Sequence, residues 1–135
     1  MKIRQLLIIC LSTPLLLSVE SSAAEYATVK PLLMQAIDAP GGAAKGILTG
    51  PIAEKMHQTT QSRDPVRVEV TTLKTYKQEG CKRLNVRLVQ PNALTKDGGR
   101  ADFTVDYGIN LCRDGTAPME AMDLSQFRQA IGRGQ

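Results

Sequence analysis

Two stretches of alternating apolar and polar residues, flanked by a pair of cysteines, constrain the fold of this chain more than any other feature. The apolar positions follow a period of two and are Leu84, Val86 and Leu88, then Phe103, Val105, Tyr107, Ile109 and Leu111. Such alternation predicts two half-buried β-strands. Residues 90–100, between the two stretches, contain a proline, an asparagine and an Asp-Gly-Gly run, which are typical of turns. We therefore expect two antiparallel strands joined by a loop over residues 90–100.

The flanking cysteines, Cys81 and Cys112, indicate the register of these strands. In an antiparallel pair the position numbers of opposing residues have a constant sum, and a shift of one residue would turn the apolar face toward water. Placing Cys81 opposite Cys112 sets every apolar residue of the first stretch opposite an apolar residue of the second. It also sets Arg87 opposite Asp106, a pair of complementary charge. The sequence therefore predicts a hairpin closed by a Cys81–Cys112 disulfide.

This disulfide has the spacing of a structural cross-link. It would close a loop of about 30 residues, which the chain-entropy model equates with roughly 3.5 kcal/mol of stability. Cys81 and Cys112 are far from a Cys-x-x-C spacing, and two thiols alone cannot complete a structural zinc site. We interpret the pair as structural, and not as a redox or metal site.

Residues 1–24 have the pattern of a secretory signal peptide. Lys2 and Arg4 precede an apolar run over residues 6–17, and small residues end the segment at Ala24. The run is shorter than a membrane-spanning helix requires. We therefore expect export and cleavage after Ala24.

The remainder of the chain has the length of one domain. We expect a single small α+β domain over residues 25–131 and a disordered tail over residues 132–135. No later apolar run is long enough to span a membrane, so the mature chain is expected to have no transmembrane span. The predicted location is the periplasm, with secretion to the exterior as the alternative.

The first half of the mature chain carries two helix patterns. Residues 28–38 place apolar side chains at helical spacing, with Thr28 as the expected N-cap and a proline in the first turn. A second helix is expected over residues 51–59, with Ile52 and Met56 buried.

The remaining segments complete the predicted fold. Residues 39–46 are rich in glycine and lack the spacing of a phosphate-binding loop, so we expect a flexible connection between the helices. Residues 66–70 alternate and predict a first strand, with a bulge or a twist near residues 71–72. A short helix is expected over residues 125–131. The predicted fold class is α+β, with N-terminal helices packed on a three-stranded antiparallel β-meander that carries one disulfide.

Residues suited to catalysis are sparse. His57 is the single histidine and falls near the end of a predicted helix, where we expect a solvated side chain. Asp97, Asp102 and Asp114 fall in or beside turns and lack the regular ligand spacing of a calcium loop. We therefore predict that the protein is not an enzyme and uses no cofactor or metal.

The charge balance is mildly basic. Without the signal peptide the chain keeps 15 basic and 12 acidic residues, and no block of five or six like charges occurs. An exported protein also meets little nucleic acid. We therefore expect no nucleic-acid partner.

The polar face of the hairpin is the predicted surface for contact with a partner. Its residues alternate with the apolar positions and are Arg83, Asn85, Arg87, Asp106 and Asn110. The alternative is an ordinary solvated sheet face. The strand edges offer a second route, because an extended segment of a partner can add to an open edge.

Several of these positions together resemble a known group of proteins. They are Tyr76, the Gly-Cys pair at 80–81, the Leu-Asn-Val run at 84–86, the segment YGINLCRDG at 107–115 and the segment APGGAAKG at 39–46. Over about residues 26–118 the chain resembles small exported proteins encoded among the conjugative transfer genes of bacterial plasmids and integrative elements. The resemblance implies an envelope component or accessory factor of a type IV secretion apparatus, and no active-site residues.

Two functions follow as hypotheses. The first is a periplasmic, non-enzymatic structural or interaction protein that contacts other envelope proteins, including secretion-channel subunits. The alternative is an inhibitor or binding module acting on another envelope or cell-wall protein through the loop at residues 113–118. The sequence leaves the oligomeric state open.

Intact-mass measurement of the exported protein tests two of these expectations. Cleavage after Ala24 would leave 111 of the 135 residues. The Cys81–Cys112 disulfide would lower the mass by two hydrogens relative to the reduced protein. The mass of a free-thiol form would contradict the disulfide, and a different first residue would contradict the cleavage site.

Overall fold

The structure is a computed structural model that describes residues 22–121. These residues are organised around one five-stranded mixed sheet. The elements in chain order are β1 (Glu25–Tyr26), α1 (Lys30–Asp38), β2 (Ala43–Leu48), α2 (Pro51–Thr60), β3 (Val66–Thr75), β4 (Cys81–Leu94), β5 (Arg100–Cys112) and a short 3₁₀ helix (Met119–Ala121). The strands lie side by side in the order β1-β2-β3-β4-β5. β1 is parallel to β2, and every other neighbouring pair is antiparallel.

The predicted three-stranded antiparallel meander with helices at its N-terminus is therefore wrong. The sheet has two further strands, and the helices alternate with them along the chain. β2 lies largely where we expected a flexible connection over residues 39–46. Its sequence, AAKGIL, has little β-propensity and no alternation, but it pairs with β3 over six residues. Backbone pairing with a neighbouring strand, and not the local sequence, makes this segment a strand.

Two glycines allow the first strand to lie against the second. A Cβ atom on Gly46 would lie 2.5 Å from the Tyr26 ring, and a Cβ on Gly50 would lie 1.8 Å from the carbonyl oxygen of Ala27. The close approach is held by backbone hydrogen bonds, with the Thr49 amide donating to the Tyr26 carbonyl at 2.9 Å. These glycines therefore serve close packing between β1 and β2, and not flexibility.

Both helices pack on one face of the sheet, which we call the helix face. α1 lies against β2, β3 and β4, and α2 lies against β4. The core between them consists mainly of aliphatic side chains, including Leu32, Ala36, Ile37, Leu48, Met56, Val66, Val68, Val70, Leu84, Val86 and Leu88. Within residues 22–121 neither helix combines the length and hydrophobicity needed to cross a membrane.

The two helices agree with the sequence in position and differ in detail. α1 begins at Lys30, with Val29 at the N-cap and no side-chain cap, so the predicted Thr28 cap is wrong. α2 confirms the predicted second helix and buries Met56. Ile52 is 43% exposed, and the small side chain of Ala53 is buried against the sheet instead.

The β4–β5 hairpin confirms the predicted register and the disulfide. Cys81 lies opposite Cys112, and the pairing continues without a shift to Gln90 opposite Phe103. The bulge expected after the alternation of β3 is present, as a register shift between Thr72 and Lys74. The hairpin pattern in the sequence was therefore sufficient to align these strands.

The loop of the hairpin is shorter than predicted. Both strands extend into the expected loop of residues 90–100, and only residues 95–99 connect them. Pro91 lies in a register shift between Gln90 and Ala93, where its missing N–H interrupts no ladder bond, and Asn92 adopts a φ of 55°. Turn-forming residues here build a bulge within a long hairpin. The predicted helix at 125–131 and tail at 132–135, and nearly all of the predicted signal peptide, lie outside the described residues.

Replacing Gly50 with alanine should destabilise the fold. The added Cβ would meet the carbonyl oxygen of Ala27, a backbone atom that cannot rotate away, so we expect the free energy of unfolding to fall by roughly 2 kcal/mol. Gly41→Ala is the matched control, because no atom lies within 4 Å of its Cβ position. Urea unfolding of both variants provides the measurement. Equal stability of the two variants would contradict the contact between residue 27 and the β2–α2 junction.

Candidate functional site

The five predicted contact residues lie together on the face of the hairpin opposite the helices, which we call the outer face. Asp106 accepts hydrogen bonds from Arg87 Nε at 2.9 Å and from the Asn85 amide at 3.2 Å. Asn110 Oδ1 accepts one from Arg83 Nη1 at 3.1 Å. The structure therefore brings all five together, in two hydrogen-bonded groups.

A row of alternating charges crosses the outer face. The strand register sets Lys45 opposite Glu69, Glu69 opposite Arg87, and Arg87 opposite Asp106. The pKa of Arg87 is raised, first by its hydrogen bond to Asp106 and to a smaller extent by Glu69. The pKa of Asp106 is lowered, first by the hydrogen bond from Arg87 and then by that from Asn85. Because neighbouring charges compensate one another, this row presents no net charge to a ligand.

An open depression of about 1040 Å³ lies over this charge row, and its lining includes Lys45, Glu69 and Arg87. Its floor is the outer face of β2 to β5, and residues 22–24 form part of its rim. Arg67 and Asp102 face each other there across 3.9 Å, with both side chains mostly exposed. The depression is open to solvent, which suits an extended protein segment better than a small molecule enclosed on all sides.

A buried hydrogen-bond network joins α2 to the hairpin. Gln90 is fully buried, and its amide oxygen accepts a hydrogen bond from Thr60 Oγ1 at 2.7 Å. Its amide nitrogen donates to the Ser62 carbonyl at 3.1 Å and lies 2.7 Å from His57 Nδ1. His57 lies in the last turn of α2, as predicted, but it is half-buried and only partly solvated. One feature of the sequence indicates this network. Gln90 is polar, although the alternation of β4 predicts an apolar residue at its position.

The network has the geometry of a structural link. His57 Nδ1 lies 2.9 Å from the backbone carbonyl of Ser62, whereas the Ser62 hydroxyl donates to the Pro91 carbonyl at 2.6 Å. A serine nucleophile would instead have its hydroxyl bonded to the imidazole. These side chains hold the end of α2 against the bulge of β4.

The acidic residues considered for calcium binding form hydrogen bonds within their own turns and do not come together in one site. Asp97 accepts a hydrogen bond from the Thr95 hydroxyl, which lowers the pKa of Asp97. Asp114 accepts hydrogen bonds from the hydroxyl and the amide of Thr116, which lower its pKa in the same way. Over residues 22–121 no group of three or more histidine, cysteine or acidic side chains is placed to hold a metal ion.

The loop after Cys112 is fixed from three sides. The Arg113 amide donates to the Gly80 carbonyl at 2.8 Å, and its Nε lies 2.5 Å from Asp38 at the end of α1. The Cys112 amide donates to the Thr116 carbonyl at 2.8 Å. The loop therefore presents the exposed residues 113–117 in a defined conformation beside the disulfide.

Strand β5 forms one edge of the described sheet, and its register shows which backbone groups face that edge. The Arg113–Gly80 bond extends the Cys81–Cys112 register by one pair. Hydrogen-bonded pairs alternate along an antiparallel ladder, so the odd-numbered residues of β5 bond to β4. The even-numbered residues direct their N–H and C=O groups outward. Cys112 agrees with this assignment, since its amide bonds to Thr116 and not to β4.

Two aromatic side chains accompany this edge on the helix face. Phe103 is 38% exposed and Tyr107 is 41% exposed, because α1 and α2 pack over β2, β3 and β4. Val105, which lies between them, is half-buried. We call these three residues the edge strip. The sequence predicted their shared face but not their exposure.

Comparison of the chain with models of protein families finds no match. Searches of curated proteins and of solved structures find no match either.

Replacing Arg87 with glutamine should raise the pKa of Asp106 toward the ordinary aspartate value, because the bond from Arg87 is the first cause of its depression. A carboxylate with a depressed pKa stabilises the fold above the pKa of the unfolded chain, and that contribution is lost as pH falls through the folded pKa. Arg87→Gln should therefore lose less stability than wild type on acidification.

Carboxyl-carbon NMR titration measures this shift. Asp97 is the internal control, since its pKa depends on Thr95 in the same loop and should not move. An unchanged pKa at Asp106 in the variant would contradict the pairing.

Proposed function

We propose that this protein is a periplasmic, non-enzymatic structural or interaction protein that serves a conjugative type IV secretion apparatus as a component or accessory factor. The observation that carries the interaction role is the edge of β5, which no strand within residues 22–121 covers, together with the edge strip. An exposed edge with apolar side chains favours pairing with another strand. The link to conjugation comes from the resemblance in cysteine and turn positions.

The chemistry of the polar side chains supports a binding role. His57, Ser62, Asp97 and Asp114 each have partners that fix backbone or turns. Among the described residues every buried side-chain nitrogen or oxygen has a hydrogen-bond partner. Catalytic groups are commonly found strained, unpaired or strongly shifted in pKa, and this arrangement favours stability instead.

Two surfaces can share the contact with an envelope partner. The β5 edge offers backbone hydrogen bonds, which bind any extended segment, and the outer face offers specificity through Arg83, Asn85, Arg87, Asp106 and Asn110. Arg87 and Asp106 are already paired with each other, and Arg83 is bonded to the neutral Asn110, so these residues select a partner of matching charge pattern more than they add affinity.

The alternative function is that of an inhibitor or binding module acting on another envelope or cell-wall protein. The loop at residues 113–117 favours it, since the disulfide, Asp38 and Gly80 hold this exposed segment in place. A loop fixed before binding loses little entropy when it enters a cleft.

Photo-crosslinking in the native cell tests both functions. A photoreactive amino acid replaces Thr104 at the edge, Arg83 on the outer face or Ala117 in the loop, and mass spectrometry identifies the captured proteins. We expect secretion-channel subunits to be captured from position 83, whereas position 104 identifies whichever strand pairs with the β5 edge. Lys55, exposed on α2, is the matched control and should capture none.

The outcomes separate the hypotheses. Capture of a single soluble enzyme from position 117 would replace the proposal with the inhibitor function. Capture of no envelope protein from any of the three positions would overturn both functions.

A further inference from the structure

We infer that the open edge of β5 binds the β5 strand of a second copy of this chain, so that two sheets join into one continuous antiparallel sheet. This inference names one partner for the edge and rests on the proposed interaction role. It follows from the backbone groups at the edge, the arrangement of acidic side chains along β5 and the position of the loop after Cys112.

Of the features that usually prevent strand pairing, the edge carries only charged side chains, at Arg100, Asp102 and Asp106. Such edges are protected by proline, lysine, a bulge or a very short strand. β5 has 13 residues, contains neither proline nor lysine, and pairs with β4 without a shift from Phe103 to Cys112. At the opposite side of the sheet, β1 has only two residues. Of the two edges, β5 is therefore the one built to accept a strand.

Symmetry limits the registers available to two copies. The edge-facing backbone groups belong to even-numbered residues, so even positions must pair with even positions. A two-fold axis must then pass through a residue of β5, and not between two residues. Any such register keeps apolar side chains opposite apolar ones on the helix face.

Charge excludes two of the central registers. An axis at Thr104 would set Asp102 directly opposite the partner's Asp106. An axis at Asp106 would set that carboxylate opposite its own copy. Like charges that lie directly opposite each other destabilise an antiparallel pair.

The loop after the disulfide excludes a third register. An axis at Tyr107 would pair Asp102 with the partner's Cys112. The Cys112 amide already donates to the Thr116 carbonyl, and the loop occupies that part of the edge. An axis at Phe103 would restrict the overlap to residues 100–106.

An axis at Val105 meets every requirement. The overlap then covers residues 100–110 and ends before the loop. Asp106 lies opposite the partner's Thr104, and Asp102 lies opposite the partner's Gly108. Phe103 lies opposite the partner's Tyr107 in two symmetric contacts, so each exposed aromatic ring gains an aromatic neighbour. The edge strip is thus self-complementary.

Equilibrium ultracentrifugation of the mature, oxidised protein across a wide concentration range tests the association. We expect the apparent mass to rise from one chain to two. Thr104→Pro removes an edge-facing N–H without removing a bond to β4, and it should weaken association by at least about tenfold. Thr104→Val is the matched control, since it keeps the N–H and should associate like wild type. A single-chain mass for wild type at every concentration would overturn the inference.

Cysteine cross-linking tests the register and does not depend on the folding of the proline variant. In the proposed dimer Val105 faces its own copy in a non-hydrogen-bonded pair, whose Cα separation of about 4.5 Å suits a disulfide. Val105→Cys should therefore link to itself on mild oxidation. Phe103→Cys and Tyr107→Cys should link only when the two variants are mixed. Self-linking of Tyr107→Cys, or none at Val105→Cys, would overturn this register.

The two proposals can fail separately. A monomer that still captures secretion-channel subunits would end the second-copy inference and leave the proposed function standing. A dimer of the expected register that captures no envelope protein would leave this inference standing and end the proposed function.

Discussion

The pairing of β4 with β5, closed by the Cys81–Cys112 disulfide, is the constraint on which the rest of the structure depends. β4 supplies the buried residues Leu84, Val86 and Leu88, and both helices pack against it. β3 takes its register from β4, and β2 takes its register from β3. The disulfide links β4 to β5 at the end of the hairpin where Cys81 lies opposite Cys112.

The two faces of the hairpin have different physical roles. The helix face stabilises the fold through aliphatic burial, and beyond the helices it leaves Phe103 and Tyr107 partly exposed. On the outer face the charges of Lys45, Glu69, Arg87 and Asp106 compensate one another across four strands.

The polar network around Gln90 has a structural consequence. It includes the buried Gln90 amide, the buried Thr60 hydroxyl and the half-buried His57 imidazole, and each of them has a hydrogen-bond partner. Removing one partner would leave another buried group unpaired, which typically costs about 1–3 kcal/mol. The network therefore holds the end of α2 in one position relative to the hairpin, whereas an apolar contact would allow several.

The sequence by itself determined the hairpin register, the disulfide, the two helices and the bulge of β3. Each of these features leaves a local trace in the chain, either a periodic pattern of apolar residues or two alternating stretches that match in register. Only the tertiary structure decided that AAKGIL is a strand, that the sheet is mixed and that His57 is half-buried. These features depend on backbone pairing and on contacts between residues far apart in sequence. Such contacts leave no periodicity, and the glycines that permit close packing have the same appearance in a sequence as glycines that provide flexibility.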